Sequence, residues 1–311
     1  MKKISVLIPT FNEEENVELL CKCLKDEFKE NLPKYDYEIV FIDNHSTDNT
    51  RDKIKKLCKN DKKIKAIFNT KNFGQFNSPF YGLLQTTGDA TVLMCADFQD
   101  PVEMIHKFVK EWENGYKIVI GIKSKSKEKK LMYFIRSCYY KLIKKFSSVD
   151  QIEHFTGFGL YDKKFIDLLK TLEDSQPYLR GIVAELGYDR KEIEYTQQKR
   201  RKGKTKNNWY SLYDVGMIGI TSYTKGIMRI ATFFGLFTAV LSFIVGMVYL
   251  IQKLIFWDKF SAGVAPILIG QFFMGSILLF FIGLLSEYIL SINTRVMKRP
   301  LVVEESRINF D

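Results

Sequence analysis

Two apolar runs in the last third of the chain restrict its architecture more than any other feature. Residues 230–251 carry no charged side chain over roughly 22 positions, and residues 264–285 contain only Gln271 as a strongly polar member. At a helical rise of about 1.5 Å per residue each run covers roughly 30 Å, the depth of a bilayer's hydrocarbon. A helix that is apolar on every side makes a poor half-exposed cover for a soluble core. Both runs are therefore expected to cross a membrane as a two-helix hairpin. Lys253, Asp258 and Lys259 lie between them, whereas Lys225, Arg229, Arg295, Lys298, Arg299 and the basic run 199–206 flank the other ends. The positive-inside rule then puts the preceding domain and the tail 286–311 on the cytosolic side of an inner membrane.

Residues 1–208 read as a domain of their own. Residues 209–229, with Trp209, Tyr210, Leu212, Tyr213, Met217, Ile218 and Tyr223 among polar neighbours, read as an interfacial amphipathic helix leading into the bilayer. The formal net charge is +11, and the basic residues crowd into 123–130, 141–145, 199–206 and 295–299, the last two beside the apolar runs. This placement points to membrane lipids and an anionic substrate, not to nucleic acid. Five scattered cysteines, Cys21, Cys23, Cys58, Cys95 and Cys138, match no zinc spacing and are expected to be reduced thiols. The apolar run after Lys3 stops at Pro9, too soon for a secretory signal.

Within the first domain, strands are expected at 4–8, 37–42, 64–68, 91–96 and 118–120. Helices are expected between them, near 47–57, after Gly74 and after Asn12, where Asn12 and Glu15 suggest a capping box. Alternation at this spacing implies a mainly parallel, doubly wound sheet. The fourth strand ends in Asp97-Phe98-Gln99-Asp100 before Pro101, and the first two end in Pro9-Thr10-Phe11-Asn12-Glu13 and Asp43-Asn44. Ligands of open α/β sheets bind outside the carboxyl ends of the strands. Hard oxygen donors there suit Mg²⁺ or Mn²⁺ bridging the phosphates of a nucleotide. The plainer alternative is a strand-end cap, with Asp97 or Asp100 accepting backbone N–H groups of the next helix. No Gly-x-Gly-x-x-Gly or P-loop pattern follows a strand, so phosphate charge must be met by a metal and basic side chains.

Four motifs in order, Pro9-Thr10-Phe11-Asn12-Glu13, Ile42-Asp43-Asn44-His45-Ser46-Thr47-Asp48, Asn72-Phe73-Gly74 and Ala96-Asp97-Phe98-Gln99-Asp100-Pro101, resemble those of the family 2 inverting glycosyltransferases. More narrowly they resemble the polyprenyl-phosphate (dolichol-phosphate mannose synthase-like) branch, colinearly from Lys3 to the last helix. The resemblance implies a GT-A (Rossmann-like) α/β domain. It implies that Pro9, Phe11, Glu13, Ile42, Asp43 and Asn44 hold a donor nucleoside, with Cys95, Ala96, Asp97, Gln99 and Lys206 around its diphosphate. Asp97 and Gln99 would bind the metal, and Asp97, Gln99, Asp100 and Arg200 would stand at the chemistry. Two positions depart from the pattern. Asn44 stands where many relatives have Asp, yet its amide can hydrogen-bond a base edge. Cys95 stands at the first Asp of Asp-x-Asp, so metal binding is expected to need the donor's own phosphates.

The second half adds cations. Residues 131–146 mix Tyr133, Phe134, Tyr139 and Tyr140 with Arg136, Lys141 and Lys144, as an interfacial helix or an ordinary amphipathic cover would. By position, the resemblance places Lys123, Arg136, Arg200 and Lys206 against the acceptor's phosphate. Arg200-Arg201-Lys202-Gly203-Lys204-Thr205-Lys206 repeats the family's Arg-x-x-Gly-x-Ser/Thr-Lys, with a planar fork at Arg200 and a mobile charge at Lys206. Phe155-Thr156-Gly157-Phe158-Gly159-Leu160 lacks both the Asp and the Arg of the family's Gly-Asp-Phe-Arg-Leu. A phosphate acceptor, with a second pKa of about 6, is already largely dianionic and needs no base.

The expected function is transfer of one sugar from a nucleotide-sugar, UDP-linked in preference to GDP-mannose, to polyprenyl (undecaprenyl) phosphate. Homo-oligomers are expected through the membrane helices, where Gly270, Gly275 and Gly283 allow close contact. Two other readings compete: a non-catalytic scaffold that binds a nucleotide-sugar, and a processive polysaccharide synthase. Arg201, standing where Gln-x-x-Arg-Trp would require Trp, weighs against the latter.

Overall fold

The computed structural model describes residues 1–125, 149, 152–198, 213, 216–218, 221–222, 226–256 and 264–310. Its first part is a mixed α/β layer structure. In chain order the elements are β1 (Lys3–Thr10), α1 (Val17–Asn31), β2 (Asp36–Asp43), α2 (Thr50–Asn60), β3 (Ile64–Asn69), α3 (Gly74–Gln85), β4 (Ala90–Leu93) and α4 (Met104–Glu113). Then come β5 (Ile118–Lys125), β6 (Phe155–Asp162), α5 (Lys163–Lys170), α6 (Leu179–Glu185), β7 (Arg190–Thr196), α7 (Gly226–Ile255), α8 (Val264–Val296) and β8 (Glu304–Ile308).

The sheet runs β7-β5-β6-β4-β1-β2-β3-β8. The pairs β4/β1, β1/β2, β2/β3 and β5/β7 are parallel, and β6 lies antiparallel between β4 and β5. Alternate residues of each inner strand feed two cores. Ile4, Val6 and Ile8 pack under α1, α2 and α4 through Leu20, Leu24, Ile54, Ile105 and Phe108. Leu7, Val40 and Ile42 pack under α3, α5 and α6 through Phe80, Leu83, Phe165 and Ile182. Being buried on both faces is why these strands read as nearly unbroken apolar runs.

Two expectations need correction. Asn12 does not cap α1, which begins five residues later at Val17. Asn12 adopts a left-handed φ of 56°, and its Oδ1 accepts the Thr47 N–H at 2.7 Å instead. The helix near 47–57 starts at Thr50, whose N–H is taken by Asp48 Oδ1 at 3.0 Å. Within the tail, β8 pairs antiparallel with β3 and covers the edge of the sheet, a strand that the sequence reading did not include.

Among the described residues, one helix is long and apolar enough to cross a membrane, α8 over Phe273–Val296, with none of that window buried. In α7 the shorter stretch Thr232–Val248 is apolar, and Phe233, Leu236, Phe237 and Phe243 are exposed. The C-terminal end of α8 docks on the loop before α6. Ser175 Oγ donates to Thr294 O at 2.9 Å, Arg295 Nη1 is 3.5 Å from Asp174 Oδ2, and Lys298 Nζ is 2.8 Å from Glu173 Oε2.

Candidate active site

The chain makes β1, β2 and β3 in one direction across the sheet, then returns to place β4 on the other side of β1. The carboxyl ends of β4, β1 and β2 therefore share one rim, and a crevice opens between β1 and β4 where the strand order reverses. Three loops leave this rim, and each holds a non-glycine residue in the left-handed region: Asn12 (φ 56°), His45 (φ 64°) and Phe98 (φ 60°). Such backbone persists only where the surroundings over-determine it, which is common at ligand sites.

The loop after β4 is built on its own carboxylates. Asp97 Oδ1 accepts the Gln99 N–H at 3.1 Å, and Asp97 is 6% exposed. Asp100 is 4% exposed, and both of its oxygens are engaged, Oδ2 by the Cys95 N–H at 3.2 Å and Oδ1 by the Tyr195 hydroxyl at 2.8 Å. Burial raises the Asp100 carboxyl above its usual range, opposed by Lys123 and the Tyr195 hydrogen bond. Expected at the chemistry itself, Asp100 instead braces the loop. Ala96 is buried in the core, and half-buried Gln99 takes the Gln198 N–H on its carbonyl at 3.3 Å. Cys95 is the exposed residue of this loop. Its side chain keeps solvent access, yet enclosure by protein, then Asp100 and Asp97, push its thiol well above the ordinary range.

The β1 and β2 loops lock each other. Asp43, fully buried, accepts the Ser46 N–H at 3.0 Å and the Ser46 hydroxyl, and Ser46 Oγ accepts the Asn12 N–H at 2.8 Å. The Glu13 N–H reaches Thr50 Oγ1 at 2.8 Å. Half-buried Pro9, Phe11 and Glu13 line this rim. Ile42 contributes no side chain to it, since it is fully buried against Gly82 and Leu7. The Asn44 amide, expected to meet a base edge, is spent on the protein. Its Nδ2 donates to Asn72 Oδ1 at 2.8 Å and Gly74 O at 3.1 Å, while its Oδ1 accepts from Asn69 Nδ2 at 3.2 Å and Phe73 N at 2.8 Å. Asn44 thus ties the Asn72-Phe73-Gly74 turn to the rim.

The cationic side comes from β5 and α6. Lys123 pairs in register with Tyr195 of β7, so both side chains leave the same face, towards Asp100. Burial lowers the Lys123 pKa, with Asp100, Cys95 and Asp97 opposing that and Arg180 reinforcing it. Arg180 also stands 6.0 Å from the Tyr178 ring centroid, and Tyr178 meets Phe76 of α3 edge-on. Sequence reasoning missed Tyr195 and Arg180, and no motif marks either. The absent Asp and Arg of the Gly-Asp-Phe-Arg-Leu pattern have a structural counterpart. Gly157 has φ +100°, and a Cβ on Gly159 would meet Val119 O at 2.6 Å.

No group of three or more His, Cys, Asp or Glu side chains able to hold a metal occurs among the described residues. Asp97 with Gln99 offers one carboxylate and one amide oxygen, the small protein share that Mg²⁺ accepts when phosphates complete its shell. The residues fit an ion that arrives with a nucleotide. Arg136, Arg200, Lys206, the segment 131–146 expected to be an interfacial helix or an amphipathic cover, and most of 209–229 lie outside the described residues.

Comparison with known proteins bears on the family and the fold. The family model described as glycosyl transferase family 2 matches residues 5–169. A bactoprenol glucosyl transferase of Shigella phage SfX is 33% identical over 306 residues, covering 98% of this chain and 99% of the relative. The putative glycosyltransferase CsbB of Bacillus subtilis (strain 168) is 31% identical, covering 98% and 92%. A crystal structure described only as that of a mycobacterial protein superposes with a TM-score of 0.51 at 16% identity, covering 71% of this chain and 73% of the other, which shows the shared fold.

Proposed function

The chain belongs to glycosyl transferase family 2, and on that footing we propose that it moves one sugar from a nucleotide-sugar to a polyprenyl phosphate of the undecaprenyl type at the cytosolic face of an inner membrane. Similarity along nearly its whole length to bactoprenol glucosyl transferases supports the acceptor. A UDP-sugar is the favoured donor, with GDP-mannose next. The observation that carries the reading is the hydrogen bond from Gln198 N to Gln99 O at 3.3 Å. It holds the segment that continues into the basic run 199–206 against the loop bearing Asp97. Transfer between two phosphates calls for cations near the loop bearing Asp97, and the run that follows Gln198 in the sequence is proposed to supply them.

The acceptor phosphate attacks the anomeric carbon. One C–O bond forms as the C–O bond to the donor diphosphate breaks, and in-line displacement turns an α-linked donor into a β-linked product. No side chain has to remove a proton, because the acceptor is already largely dianionic with a second pKa of about 6. Gly157 at the place of the family's Asp is consistent with that. A divalent cation at Asp97 and Gln99 would supply electrostatic stabilisation to the departing diphosphate. Lys123 neutralises charge where the two phosphates approach, and Asp100 with Tyr195 fixes the Asp97 loop so that little reorganisation is left for the transition state. Arg136, Arg200 and Lys206 are proposed as further phosphate ligands. Both apolar helices cross the bilayer in this reading and provide the contacts for homo-oligomers.

The test is incubation of membranes containing the protein with radiolabelled UDP-glucose, or GDP-mannose, and undecaprenyl phosphate. Label should enter the lipid fraction as a single-sugar product. Binding of donor without turnover, or a long polymer, would overturn the proposal.

A further inference from the structure

The last strand does more than cover an edge. β8 returns from α8 to pair with β3, with Phe68 opposite Ser306 and Asn69 opposite Glu304, and Thr70 N donates to Val303 O at 3.0 Å. Next to Glu304 on this strand, Glu305 sends its carboxylate towards the β2 end of the rim. Its Oε2 lies 2.7 Å from Nη2 of Arg51, on the first turn of α2. The guanidinium carbon of Arg51 stands 5.1 Å from the Phe68 ring centroid, and its Nε is 3.4 Å from Asp43 Oδ2, an ion pair without hydrogen-bond geometry. Asp43 in turn holds Ser46, whose Oγ holds the Asn12 N–H, and Asn12 Oδ1 takes the Thr47 N–H.

One chain of contacts therefore runs from the C-terminal strand through Arg51 to a fully buried carboxylate, and from there into two of the rim's three left-handed turns, those of His45 and Asn12. A buried carboxylate without compensation is costly, so this cation has a structural reason to be where it is. Arg51, at 19% side-chain exposure, is held between Glu305 and Asp43 with its guanidinium over the Phe68 ring, so Glu305 is one of the groups that fix it beside Asp43. Neither residue belongs to the crevice, and none of the motifs in the sequence includes them.

We infer that Arg51 and Glu305 are positioning residues for the nucleoside end of the donor, acting through Asp43 on the turns that carry Phe11, Glu13 and Asn44. The inference rests on the proposed function only in taking that rim as the nucleotide pocket. It makes the segment following the membrane helix a working part of the donor site.

The test uses the full-length protein in detergent or nanodiscs. UDP and GDP binding is titrated directly, and transfer kinetics are measured for wild type, Glu305→Gln, Glu305→Ala, Arg51→Lys and Arg51→Ala, with thermal unfolding as the control. Glu305→Gln and Glu305→Ala should weaken nucleotide binding and raise donor KM by about threefold, the scale of one exposed ion pair, with kcat, acceptor KM and Tm unchanged. Arg51→Ala should weaken binding by more than about tenfold, with Arg51→Lys in between. Where Arg51→Ala does not fold, the exposed Glu305 variants decide the matter. Unchanged nucleotide affinity in both Glu305 variants would overturn the inference while leaving the enzyme reading intact. A wild-type protein that binds neither nucleotide would overturn the pocket assignment, and this inference with it.

Discussion

The Tyr195 hydroxyl donates to Asp100 Oδ1 at 2.8 Å, across 95 residues of sequence, and so joins the edge strand β7 to the loop that bears Asp97. Both groups are buried, and Tyr195 is further wedged by Phe158, whose ring lies edge-on at 5.3 Å. Removing the hydroxyl leaves one carboxylate oxygen without its partner. Tyr195→Phe should cost about 1–3 kcal/mol of stability. It should also lower kcat while leaving donor KM little changed, because the loop's geometry and not the nucleoside pocket is disturbed. Denaturation and steady-state kinetics on the purified protein check both.

Asp97 and Cys95 should respond very differently to truncation. Asp97 provides the one carboxylate proposed for the metal, so Asp97→Ala should reduce transfer by more than about a hundredfold. Excess Mg²⁺ should not restore it. Cys95 is held as a neutral thiol by its enclosure and by Asp100 and Asp97, and brings no charge to the site. Cys95→Ala should retain activity within about threefold of wild type, given that only a small neutral group is lost. Transfer assays with and without EDTA separate the two cases, and chelation should silence the wild type and Cys95→Ala alike.

At the opposite end of the strands, Glu38 gives the domain an acid-sensitive joint. Burial opposes its ionisation, but Lys65 Nζ at 2.8 Å and hydrogen bonds from Ser5 and Thr87 outweigh that and bring its pKa down to about 2 from 4.5. A depressed carboxylate contributes stability that is fully present above its unfolded pKa and disappears as pH falls through the folded one. The window therefore runs from about pH 4.5 down to about pH 2. A shift of this size corresponds to about 3 kcal/mol. Glu38→Gln should be destabilised at neutral pH and should lose less stability than wild type through that window, as urea titrations at several pH values would reveal.

How far the sequence disclosed this arrangement depended on whether the signal was local. The strands β1 to β4 were legible because residues such as Val6, Leu7, Val40 and Phe41 are buried on alternating faces, and a doubly covered strand is apolar throughout. Once those four strands are parallel neighbours, Asp43 and Asp97 have to share a rim. β7 reads as alternating charge, Arg190-Lys191-Glu192-Ile193-Glu194, and β8 as a charged tail, so neither announced itself. Both are edge strands, where pairing through the backbone replaces apolar content. Tyr195, Arg180 and Arg51 escaped notice for another reason: each faces a group far away in sequence, Asp100 for Tyr195, Lys123 for Arg180 and Glu305 for Arg51. Asn44 shows the converse, since its motif was visible but its four hydrogen bonds to the protein were not.

Lys123 offers the sharpest separation of acceptor from donor. It sits on β5 beside Tyr195 and feels the charges of Asp100, Asp97 and Arg180, whereas the proposed nucleoside contacts cluster on the far side of the β1/β4 crevice. A cation in that position serves a phosphate arriving opposite the sugar, and its loss is felt mainly by the acceptor. Lys123→Gln should raise the KM for a short-chain polyprenyl phosphate by about tenfold or more, the worth of one charge-assisted hydrogen bond, with donor KM within about twofold. Lys123→Arg should recover part of the loss, since charge is kept while the planar fork differs from a compact ammonium. Initial-rate measurements varying each substrate in turn test this. An equal rise in both KM values would assign Lys123 to the diphosphate instead, and no change in either would remove it from the site.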